Sequence, residues 1–165
     1  MITLDVLPGL VIGVVSMLLL VIAQASRPYL GVLGRVPGIP GAYGDVERHP
    51  DYRQLPGLLV LRLEAPLFYA NATPVRDRIK TLVGAGDPVP RAVILEAGAI
   101  HRLDITSAEM LTQLTCDLRA AGVGFALADV RLPVIDVARR AGLLKQLGPD
   151  HVFPTIDEAV HHMAP

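Results

Sequence analysis

Hydrophobic and polar positions divide this chain into two unequal parts. From Val6 to Ala25, twenty residues run without a formal charge, and Gln24 is the only strongly polar side chain among them. At about 1.5 Å of rise per residue, such a run spans roughly 30 Å as a helix, the thickness of a bilayer's hydrocarbon core. The pattern therefore predicts a transmembrane helix within residues 1–26. A secretory signal would need cations ahead of the apolar run, and no Lys or Arg precedes Arg27. A buried core helix with no polar stripe would need a larger protein around it. Gly9 and Gly13 are spaced as a small-xxx-small pair, with Ser16 one turn further on, which is the spacing that lets helices approach closely in lipid.

After Arg27 the pattern changes. Residues 27–41 are rich in Pro and Gly with no sustained periodicity, and they predict an ordered linker leading to a domain over residues 42–165. Tyr43 to Arg48 suggests a short edge strand, and Leu58–Leu63 and Ala92–Ala97 are apolar runs of the kind that form buried strands. Between them, Asn71 and Thr73 are candidate caps and Pro74 suits a first helical turn, with Val75, Ile79, Leu82 and Val83 as the apolar stripe. Thr106 to Glu109 reads as a capping box for a helix ending at Gly122, followed by a strand over 123–128. Pro133 opens a helix that stops at Gly142, Val152–Phe153 forms a last short strand, and Thr155 to Glu158 caps a terminal helix. Strands alternating with helices predict an α/β fold built from βαβ units.

Charge narrows the function. All 15 Lys and Arg and 15 of the 16 acids lie at or after Arg27, so the domain is formally neutral and lacks the clustered cations of a nucleic-acid face. Arg27, Arg35, Arg48 and Arg53 follow the apolar run and none precedes it, which places the domain on the cytoplasmic side of a cell membrane that the chain crosses once. The single cysteine, Cys116, excludes an internal disulfide and suits a small core residue. Neither the five histidines nor any Ser or Cys sits in a metal-binding or nucleophilic pattern, so no enzyme, metal or cofactor is expected.

Several motifs occur together: Ser26-Arg27-Pro, Leu33-Gly-Arg-Val-Pro-Gly38, Tyr43-Gly-Asp45, Pro56-Gly-Leu-Leu-Val-Leu-Arg62 and Leu67-Phe-Tyr-Ala-Asn-Ala72. In this order and spacing the chain resembles the SulP family of sulfate permeases, at the point where the last membrane helix runs into the cytoplasmic STAS domain. The resemblance implies a STAS fold, a mixed central β-sheet with packed α-helices, attached to an anion transporter as a regulatory and assembly domain. The family's dozen or so membrane segments are represented here by one, so the translocation path lies outside these residues and the chain reads as a piece of a transporter.

One loop could carry chemistry: Asp104, Ile105, Thr106 and Ser107. A helix N-terminus offers free N–H groups to an anion, although simple capping is the plainer account. In the STAS proteins that antagonise anti-sigma factors, the resemblance places a phosphorylated Ser or Thr directly after this Asp. Here that position is Ile105, which has no hydroxyl, leaving Thr106 and Ser107 as the only substitutes. The expected partners are membrane lipid, the transmembrane helices of a SulP transport core on the same or a separate chain, a second copy of this chain in a homodimer and, at the Asp104 loop, a nucleotide. The competing reading is a stand-alone STAS signalling module tethered to the membrane by one helix.

Overall fold

The apolar runs become strands of one six-stranded sheet, ordered β2-β1-β3-β4-β5-β6. The computed structural model describes residues 3–26 and 28–164, and within the first helix the side chains of residues 7–23. Helix α1 covers Thr3–Ala25, followed by β1 (Leu30–Arg35), β2 (Tyr43–Asp45), β3 (Leu58–Leu63), α2 (Tyr69–Gly84), β4 (Ala92–Glu96) and α3 (Ile105–Ala120). Then come β5 (Gly124–Ala128), α4 (Leu132–Arg140), α5 (Leu143–Leu147), a 3₁₀ turn at Pro149–His151, β6 (Val152–Phe153) and α6 (Ile156–Met163). β3, β4, β5 and β6 run parallel, while β1 lies antiparallel between β2 and β3.

Side chains alternate across the strands, so each strand serves two cores. On one face Leu61, Leu95 and Leu127 pack beneath α2, α3, α4 and α5. On the other, Val60, Ile94, Ala126 and Ala128 meet Ala159 and Val160 of α6. Small residues on this second face allow one short helix to cover it. β4 is buried at all five positions, as a central strand of a parallel sheet covered on both faces must be.

Residues 30–35 are not linker. They form β1, inside the sheet, with Leu33 opposite Val60 of β3 and Asp45 of β2. The glycines that suggest a loop are there for close approach. A Cβ on Gly31 would stand 3.0 Å from an Asp45 carboxylate oxygen, and one on Gly34 would meet Val46 at 2.7 Å and the Arg53 backbone at 2.9 Å. The junction is further fastened by Tyr29. Its hydroxyl donates to Asp45 Oδ2 (2.6 Å) and Glu47 Oε2 (3.1 Å), and its ring lies under Arg48, which pairs with Glu64 at 2.9 Å. The Asp45 hydrogen bond, then burial, then the Glu47 bond raise the Tyr29 pKa above its ordinary value, so this phenol stays protonated.

Two helix starts also differ from the sequence pattern. α2 begins at Tyr69, five residues before Pro74, and Asn71 serves it from within: its Oδ1 accepts from Phe68 N at 3.0 Å and its Nδ2 donates to Pro66 O at 2.9 Å. α3 is capped by Asp104 in place of Thr106. At α6 the expected cap is present, with Thr155 Oγ1 accepting from Glu158 N at 3.2 Å.

α1 stands apart. Every described side chain from residue 7 to residue 23 is exposed. The expected span is not established: among the described residues, no helix is long and apolar enough to cross a membrane.

Candidate functional site

In a parallel sheet the loops that follow the strands collect at one edge, where ligands of α/β proteins usually bind. Here that edge carries the starts of α2, α3 and α4. Asp104 ties two of them together. Its Oδ1 accepts from Ser107 N at 2.8 Å, capping α3, and its Oδ2 accepts from Tyr69 N at 2.7 Å, capping α2 across 35 positions of sequence. Burial works against the charged carboxylate, but the Ser107 and Tyr69 contacts outweigh it and hold its pKa below the ordinary value. The backbone bonds account for this better than the Ser107 hydroxyl, which lies beside the carboxylate without completing a hydrogen bond.

A second carboxylate lies one strand-end away. Glu96, the last residue of β4, accepts from Arg62 Nε at 2.8 Å and from Gly98 N at 3.1 Å, and Arg131 Nε donates to Gly98 O at 2.9 Å. Asp129 follows β5 with φ of 53°, the left-handed region, and its carboxylate lies beside Glu96 against the same face of Gly98. A Cβ on Gly98 would collide with both carboxylates, so any larger residue there requires the two acids to shift. Among the described residues no group of His, Cys, Asp and Glu is arranged to hold a metal.

The four loop residues expected to act together have divergent fates. Ile105 is 67% exposed and Thr106 is exposed, whereas Ser107 is fully buried, with its Oγ unpartnered. A kinase reaching this loop would find only the Thr106 hydroxyl. The N–H groups that would receive an anion are partly taken by Asp104, whose negative charge also opposes phosphate. Between α3 and α4 an open groove of about 450 Å³ is lined by Leu103, Asp104, Ile105, Val137, Arg140 and Ala141. Gly9, Gly13 and Ser16 lie on α1, and a Cβ placed on either glycine meets nothing within 4 Å among the described residues. No local pattern in the sequence joins Asp104 to Tyr69 or Glu96 to Arg62. Arg62 and Glu96 sit at equivalent ends of two apolar runs, a signal that could have paired them.

The STAS domain family matches residues 49–159. This chain belongs to it. Outside the STAS domain itself, the likeness extends into α1. A probable sulfate transporter of Mycobacterium tuberculosis is 35% identical over 157 residues, which are 95% of this chain and 28% of that protein. The murine anion transporter Solute Carrier 26 family member A9 superposes with a TM-score of 0.81 at 22% identity, covering 94% of this chain and 25% of the transporter. A putative anti-sigma factor antagonist from Thermotoga maritima gives a TM-score of 0.60 at 16% identity, covering 73% of this chain and 99% of that protein. The chain thus matches the C-terminal STAS part of SulP-type sulfate transporters and spans about a quarter of the length of such relatives.

Proposed function

We propose that this chain is the regulatory and assembly portion of a SulP-type anion transporter, with α1 as the last membrane helix and the STAS domain beneath it in the cytoplasm. The observation that carries this reading is the reach of the likeness. The match to the transporter structure covers 94% of the chain, beyond what the STAS domain alone supplies, whereas the match to the stand-alone antagonist covers 73%. A helix with apolar side chains exposed all round is also what a membrane segment looks like when its neighbours are elsewhere. On this reading lipid and the other helices of a transport bundle surround α1, Gly9 and Gly13 provide the close-packing face, and the anion passes through residues outside this chain. The signalling-module reading is disfavoured by Ile105, which stands where a phosphate acceptor would be needed.

The test is sulfate flux. Vesicles containing only these 165 residues should retain no more radiolabelled sulfate than empty vesicles, while the chain itself stays with the membrane after alkaline carbonate washing. Uptake above background would place a translocation path within this chain, and release by carbonate would remove α1 from the membrane.

A further inference from the structure

Among the described residues outside α1, five large apolar side chains are exposed: Ile39, Tyr69, Val89, Ile105 and Leu132. Three of them share a position. Tyr69, Ile105 and Leu132 are the first residues of α2, α3 and α4, at 70%, 67% and 78% exposure. Because Cα–Cβ bonds in a helix tilt toward its N-terminus, first-turn side chains lean out past the end of the sheet. All three helices start at the carboxyl edge of the parallel strands, and Asp104 fastens two of these starts together. Arg102 and Arg131 are exposed at the same edge, with Asp129 as an exposed acid among them.

The register shows what else leaves from this edge. β1 begins at Leu30 opposite Leu63, the last residue of β3, and Glu64 N donates to Tyr29 O at 3.1 Å. α1 ends at Ala25, so only residues 26–29 separate it from the sheet. Four residues reach at most roughly 14 Å. The headgroup layer on one side of a bilayer is roughly 5–7 Å deep. If α1 spans the membrane, a tether of this length keeps this edge within roughly 7–9 Å of the headgroup surface.

We propose that the carboxyl edge of the STAS sheet rests on the bilayer interface, with Tyr69, Ile105 and Leu132 among the headgroups and Arg102 and Arg131 facing lipid phosphate. This rests on the reading of α1 as a membrane helix. An aromatic ring, aliphatic side chains and cations together are the chemistry of an interfacial contact. Ile39 and Val89 lie at the opposite edge, beyond the end of β1 and ahead of the start of β4, and so face away from the membrane.

The experiment uses the full chain in vesicles of phosphatidylcholine and phosphatidylglycerol. Cys116 is replaced by Ala, and single cysteines at Leu18→Cys, Ile105→Cys, Leu132→Cys or Ile39→Cys carry a fluorophore. Nitroxide lipids labelled in mid-chain or near the headgroup act as quenchers. The expected result is mid-chain quenching at position 18, shallow quenching at positions 105 and 132, and none at 39. Quenching at 18 with positions 105 and 132 as bright as 39 overturns the interfacial contact while leaving α1 in the membrane. Absence of quenching at 18 overturns the membrane reading and the contact with it. Positions 105 and 132 shielded from both lipid and aqueous quenchers would indicate a protein cover, such as a second copy, and would also overturn it.

Discussion

Asp104 holds its carboxylate between two helix N-termini, so Asp104→Ala removes two caps at once. Each lost cap costs about 1 kcal/mol, and the variant should be less stable by about 1–2 kcal/mol in urea at pH 7. Because its folded pKa lies below the unfolded value of about 3.9, its stabilisation is complete well above that value and is lost as pH falls through the lower, folded one. The variant should therefore show a flatter loss of stability on acidification than the parent; superimposable pH profiles would show that the carboxylate holds neither helix. Ser107 tests the same corner from the other side. Its buried hydroxyl has no partner, so Ser107→Ala should be neutral or stabilise by up to about 1 kcal/mol. Destabilisation in the same urea measurement would mean that the hydroxyl does serve the carboxylate. A capping box at Thr106 was legible from spacing alone, but Asp104 supplies the same chemistry two positions earlier. Its bond to Tyr69 joins residues that no local pattern connects.

At the scale of elements, the strands with uniform apolar runs were legible because burial on both faces demands that composition. β1 was not, since Gly31 and Gly34 belong to a strand only once Asp45, Val46 and Arg53 are known to press on it. α5 escaped for a different reason: in five residues, Leu143 and Leu147 are its only buried anchors. The position of β1 moves the practical boundary of the domain. A fragment of residues 42–165 lacks β1, loses the buried Leu30 and Leu33 and bares the edge of β3. Those two side chains represent roughly 3–6 kcal/mol of burial, a large share of a typical stability of 5–15 kcal/mol. Residues 28–165 should give a soluble domain with a cooperative thermal transition, and residues 42–165 should aggregate through the open strand edge. Equal melting temperatures for the two fragments would show that β1 is an accessory strand.

For the molecule as a whole, α/β architecture was legible because strand and helix patterns alternate locally, and the SulP resemblance because its motifs occur in order along the chain. What could not be read was direction, namely which edge of the sheet faces the exit of α1. That depends on β1 running antiparallel to β3, a property of pairing between segments about thirty residues apart. With direction known, the three exposed first-turn residues become one surface.

The same pairing governs how the molecule bears force. A flexible linker would absorb any piston or twist of α1, but here the chain passes within four residues into a strand whose neighbours hold it on both sides. A pull along the axis of β1 loads its hydrogen bonds to β3 together, from Leu30↔Leu63 to Leu33↔Val60, in shear rather than one at a time as in unzipping. The domain is hung from its apolar helix by a joint that resists tension, and displacement of the helix is delivered to β1 and through it to β3.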